Sequence, residues 1–212
     1  MTRTLLPHGR VQTSSAAEGL QLGVIAPGAN ATLVAREALI IGDKRARYLE
    51  LLNLVRASFS KVAEGVDALS AANERADKAI AAFILACKLK GGAELVAEIR
   101  SLWGGLTPTK LTKSAHSAQL YIMDTFLERL DARTNLKLPE DRLEELRAEH
   151  LAMKAAHLAV EQLRGAHTAL SDELDAVERE FLEAYRLLIR DLLVNWDEGE
   201  LRATLRTFER GA

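Results

Sequence analysis

Between Asp43 and Lys90 apolar residues recur in steps of four and three: Tyr48, Leu52, Val55, Phe59, Val62, Val66, Leu69, Asn73, Ala76, Ile80, Phe83 and Cys87. Only Asn73 is clearly polar. A spacing that averages three and a half residues, held this long, is the seam of a coiled-coil-like helix rather than the looser stripe of a short globular one. At 1.5 Å per residue the helix is about 70 Å long. Asp43 caps its start and Gly91-Gly92 ends it. Gly65 lies off the seam, where it either kinks the helix or lets another segment approach.

The other elements follow the same rule. Asn30 is an N-cap for a helix over 31–41, and Gly42 is its stop. Ala93–Trp103 places Leu95, Ile99 and Leu102 on one helical face, closed by Gly104-Gly105. Thr107-Pro108 opens a helix to about Arg133, with Leu111, Ala115, Ala118, Ile122, Phe126 and Leu130 facing inward. Pro139 opens a final long helix, Glu140 to Trp196, roughly 85 Å if unbroken. Its seam runs Leu143, Leu146, His150, Met153, His157, Val160. It then shifts to Leu163, Leu170, Leu174, Val177, Phe181, Leu188 and Leu192 beside Gly165, where a stutter or kink is expected. Asp197 starts a short terminal helix with Leu201, Leu205 and Phe208.

Residues 1–30 read differently. Pro7, Pro27 and four glycines interrupt them, and Leu20, Leu22 and Val24 alternate. They predict an extended or partly disordered arm, followed by a single all-α helical bundle over 31–212. Short connections make that bundle antiparallel and elongated.

Composition sharpens this picture. The chain has 212 residues, is 48% hydrophobic and only 5% aromatic, with four prolines. Ala, Leu, Glu and Arg dominate, which favours helix over a sandwich or barrel. Net charge is −2, so general nucleic-acid binding is disfavoured. Residues 1–108 carry 13 basic against 10 acidic residues, a net +3, and 109–212 carry 15 against 20, a net −5. The most apolar run, Ala79–Ala86, extends to Leu89 only across Lys88 and is too short to span a bilayer. No secretory leader is visible, so a cytoplasmic location is expected. Cys87 is the only cysteine and reads as a small buried hydrophobe.

Catalytic chemistry has little foothold. There is no phosphate-binding loop, no nucleophile elbow and no Glu-x-x-His pair for a di-metal bundle. No catalytic, cofactor-binding or metal-binding residue is predicted. His150 and His157 occupy seam positions seven apart, about 10 Å along the axis. They are candidates for a pH-sensitive contact, or sit half-exposed with Glu161 pairing His157. His167, ten residues beyond His157, points elsewhere on the helix, and His8 and His116 show no partner. Lys44, Arg45 and Arg47 form a small basic cluster that reads as a solvated helix end.

Asn73 in the seam fixes register or partner number, or meets a polar group of its own chain. Phe59 and Phe83 on the first seam, with Tyr185 and Trp196 near the apolar C-terminal end, are the candidate contact residues. The expected function is a structural or interaction protein that assembles through long amphipathic helices, as a homo-oligomer or on a helical partner. The alternatives are a membrane-active or pore-forming component, with Ala79–Leu89 and Leu187–Val194 as its segments, or an adaptor holding a partner helix in a groove.

Overall fold

The computed structural model describes residues 3–4, 7, 9–25, 29–133, 135–194, 196–205 and 208–209. Seven helices follow in order among the described residues: α1 (Arg10–Ile25), α2 (Ala31–Ile40), α3 (Gly42–Leu102), α4 (Pro108–Thr112), α5 (His116–Asp131), α6 (Glu140–Leu192) and α7 (Glu198–Thr204). A two-residue antiparallel ladder pairs β1 (Arg3–Thr4) with β2 (Phe208–Glu209). The fold is an all-α helical bundle in which α3 and α6 pack against each other.

The chain divides into two compact units, Met1–Phe59 with Ala166–Ala212, and Ser60–Gly165. In the first, Tyr48, Leu52 and Val55 of α3 meet Leu174, Val177, Phe181 and Leu188 of α6. Tyr48 stacks on Phe181, ring centroids 5.3 Å apart. Ser58 meets His167, so rising numbers on α3 meet falling numbers on α6, and the pair is antiparallel. In the second unit Arg75 pairs with Glu149 at 3.0 Å, while Gly65 faces Leu163 and Val160, again antiparallel. Phe83, Trp103, Leu111 and Phe126 fill this unit's larger cluster. Phe126 lies 5.0 Å from Trp103 and 6.3 Å from Phe83 by ring centroids.

Three of the predicted caps are in place, but Asp43 is not a cap: α3 already begins at Gly42, and Asp43 lies within its first turn. Asn30 accepts from the amides of Thr32 and Leu33, and Thr107 accepts from Lys110. Asp197 forms a reciprocal capping box with Glu200. Gly92 leaves helical space at φ 68°, ψ −157°, so α3 is two helices joined at the double glycine. No other residue of α3 is non-helical, so Gly65 does not kink it. A Cβ on Gly65 would lie 2.9 Å from Leu163 Cδ1; the glycine admits that neighbour. α6 is helical through Gly165.

Three further expectations need correction. The N-terminal arm is not extended over its length, because Arg10–Ile25 is helix. Thr13, Ala16, Ala17 and Leu20 recur at helical spacing and are buried. That small-residue face outweighs the alternation of Leu20, Leu22 and Val24, of which Leu22 is exposed. Pro27 and Gly28 of the arm lie outside the described residues. The helix expected from Pro108 to Arg133 is broken after Thr112. There the Thr112 and Ser114 hydroxyls donate to the carbonyls of Thr109 and Lys110, competing with the helical ladder. The break rephases α5, so Gln119, Leu120 and Met123 turn inward where Ala115 and Ala118 were expected. Finally, α7 ends at Thr204, and Phe208 belongs to β2 instead of that helix.

Candidate interaction surfaces

The inner seam of α6 is His150, Met153 and Val160, all buried. At 100° per residue the opposite face reads Ala148, Leu151, Ala155, Leu158, Gln162 and Gly165, in steps of three and four. Every one is exposed, Leu151 at 64% and Leu158 at 59%, and none carries charge. Ala152 and Ala159 border this face and are exposed too. Lys154 and Glu161 stand along its other edge. A solvated helix face normally carries charge at such positions. α6 therefore has two apolar seams, one packed and one open. Reading the larger residues alone follows only the first; the missed signal is six successive outward positions without a charge.

A second surface lies where α3 turns at Gly92. Ala81, Ile84, Leu85, Val96 and Ala97 line an open groove of about 530 Å³. Lys88 and Arg100 are its charged members. Leu85 is 59% exposed, and Leu89 on the next turn is open as well.

Asn73 is half-buried and meets its own chain. Its Nδ2 donates a long 3.5 Å hydrogen bond to Asp77 Oδ2, one turn on. Gln119 Nε2 donates to Asp77 Oδ1 at 2.8 Å. The buried carbonyl oxygens Asn73 Oδ1 and Gln119 Oε1 have no protein partner. Burial pushes the Asp77 carboxyl above its usual range, opposed by the Gln119 hydrogen bond and by nearby His116.

His150 is not half-exposed, as one reading of its seam position expected. It is 4% exposed, with Nε2 2.7 Å from Asp124 Oδ1. Lys154 Nζ donates to the other oxygen at 2.8 Å. Burial raises the Asp124 pKa, but the hydrogen bonds from His150 and Lys154 outweigh it and hold the carboxyl below its usual range. His157 is half-buried, and its Nδ1 has no partner. Glu161, expected beside it, instead pairs with Arg164 at 2.9 Å.

His167 meets α3. Its Nδ1 lies 2.8 Å from Ser58 Oγ, and its ring sits 6.0 Å from that of Phe59. Ser58 Oγ also lies 2.8 Å from the Val55 carbonyl, which can only accept. Donating there, the hydroxyl accepts from the imidazole, the reverse of what an attacking serine needs. Phe59 is otherwise open. Phe83 and Tyr185 are used inside the chain: both are buried, Tyr185 beside Phe181 at 5.8 Å. Desolvation pushes the Tyr185 hydroxyl up to about 12. Trp196 is half-buried against the first unit's core. The side chain of Phe208, and all of His8, lie outside the described residues.

The basic cluster is also engaged. Arg45 holds the buried Glu37 at 2.6 Å, tying α2 to α3, and Arg47 pairs with Glu173. Burial pushes the Cys87 thiol up to about 11, with Lys90 opposing, so little thiolate exists at neutral pH. Among the described residues no three His, Cys, Asp or Glu side chains gather as a metal site, and no helix is long and apolar enough to cross a membrane. No protein-family model, curated protein or solved structure matches the chain.

Proposed function

We propose that this chain is a non-enzymatic interaction protein that assembles through its long helices, binding a second copy or a helical partner. The observation that carries this reading is the uncharged outer face of α6. Two open leucines in a stripe otherwise made of Ala148, Ala155, Gln162 and Gly165 expose apolar surface that a helix partner would remove from water. The polar clusters favour the same reading. Each is oriented toward its own chain, and none combines a nucleophile, a base and an orienting group. A cytoplasmic setting suits the unpaired, buried Cys87.

The test is the double variant L151S/L158S. Both side chains are exposed, so helicity and thermal stability are expected to stay near those of the parent chain. Molar mass by light scattering is expected to fall to that of one copy. A parent chain already of single-copy mass, or a variant of unchanged mass, counts against assembly through this face.

The groove at Gly92 favours a second reading, an adaptor for an acidic amphipathic helix. Its apolar floor fits alternate turns of such a helix, and Lys88 and Arg100 supply complementary charge. A labelled helical peptide of Leu, Ala and Glu is expected to bind the parent chain and not K88E/R100E; equal binding to both defeats it. The membrane-active reading has less support, since Ile80, Phe83 and Cys87 of its first segment are buried in the fold. Leakage from anionic lipid vesicles would revive it.

A further inference from the structure

We infer that the open face of α6 pairs with the same face of a second copy, antiparallel, with Ala155 of each copy against Leu158 of the other. This deepens the assembly reading above and rests on it. The pattern of large and small residues carries the register. Centred between 155 and 158, an antiparallel pair brings Leu151 against Gln162 of the second copy and Ala148 against Gly165. No layer sets leucine against leucine or alanine against alanine. The six layers span about 27 Å of helix. A parallel pair would set Leu151 on Leu151 and Ala155 on Ala155, alternating crowded and empty layers.

The two edges of the stripe agree with that register. On one edge Ala152 meets Ala159 of the second copy, so nothing larger than a methyl group separates the backbones. On the other edge Lys154 meets Glu161 of the second copy, and the twofold axis makes this pair twice. Their side chains are 54% and 52% exposed, which leaves both ends within reach of a partner. Lys154 already holds Asp124 and Glu161 already holds Arg164, so each incoming charge joins an extended pair instead of facing a bare ion. In a parallel pair Lys154 would face the uncharged Ala159.

Charge exchange in the full-length chain tests the pairing. K154E puts glutamates at 154 and 161, and E161K puts lysines at both. Each alone is expected to raise the concentration of half-dissociation several-fold, through two like-charge contacts. Mixed in equal amounts, the two variants are expected to form a heterodimer in preference to either homodimer, read by mass spectrometry of the intact complex. K154E/E161K is expected to recover self-association. As a second measurement, A155C mixed with L158C is expected to cross-link on mild oxidation far faster than either alone, with the buried Cys87 left unreacted. A chain that multimerises but shows no heterodimer preference and no cross-link bias overturns this pairing and leaves the broader assembly reading standing. A chain that stays single at every accessible concentration overturns this pairing and self-assembly with it, leaving only a different helical partner for the face.

Discussion

Asn73→Leu removes the one polar residue of the α3 seam, and its effect follows from the geometry. Asn73 Oδ1 is buried without a partner, and an unsatisfied buried acceptor costs about 1–3 kcal/mol. Its Nδ2 makes only the 3.5 Å contact with Asp77, worth at most about 0.5 kcal/mol at that length. Leucine is the better helix former by a further half kcal/mol or so. The side chain is half-buried, so the net gain is expected in the lower part of that range, about 1–2 kcal/mol. Trp103 lies in the core of the Ser60–Gly165 unit and Trp196 in the other, so W196F isolates the signal of the unit that holds Asn73. With a urea slope of about 1.5 kcal/mol/M, the unfolding midpoint of Trp103 fluorescence should rise by about 1 M. Molar mass should not change, because the amide is turned to its own helix. A lower midpoint would mean that water or another chain satisfies the oxygen. A changed mass would restore Asn73 to the assembly contact.

Further outcomes follow from the same packing. Phe83→Ala opens a cavity beside Phe126 and should cost about 3–5 kcal/mol, collapsing the Trp103 transition, whereas the open Phe59→Ala should cost under about 1 kcal/mol. Gly165→Ala meets nothing within 4 Å and should stabilise by about 1 kcal/mol in thermal melts. The same change at Gly65 should gain less, because its methyl would press Leu163 and Val160. The Asp124 carboxyl titrates below its unfolded value, so its contribution is present above about pH 4 and lost as pH falls through the folded value. With a partly exposed side chain it is worth about 1 kcal/mol or less. D124N, which keeps an acceptor for His150, should therefore be less stable than the parent chain at pH 6 and converge on it below pH 4.

The elements that spacing predicts best are those in which large side chains mark the buried face. The α3 seam from Tyr48 to Val55 and from Leu69 to Cys87 is buried as predicted, with Asn73 half-covered and the stretch Phe59–Val66 opening out. The glycine and cap residues placed the start of α2, the turn of α3 at Gly92 and the start of α7 because they act through the local backbone. Where small residues carry the packing, spacing of large residues misleads. Ala16 and Ala17 hid the helix α1, and Ala148, Ala155 and Gly165 hid the open face of α6. Hydroxyls that compete for carbonyls at 112–114 broke a helix that apolar periodicity carried straight through. Partners distant in sequence were out of reach as well: nothing near His150 names Asp124, and nothing near His167 names Ser58.

The most direct test of assembly through α6 is the molar mass of the unmodified full-length chain across a wide concentration range, by sedimentation equilibrium. One copy weighs 23.2 kDa. The expected result is a reversible rise to twice that mass, abolished in L151S/L158S. A mass of one copy throughout, or a larger assembly that the double variant leaves intact, would contradict it.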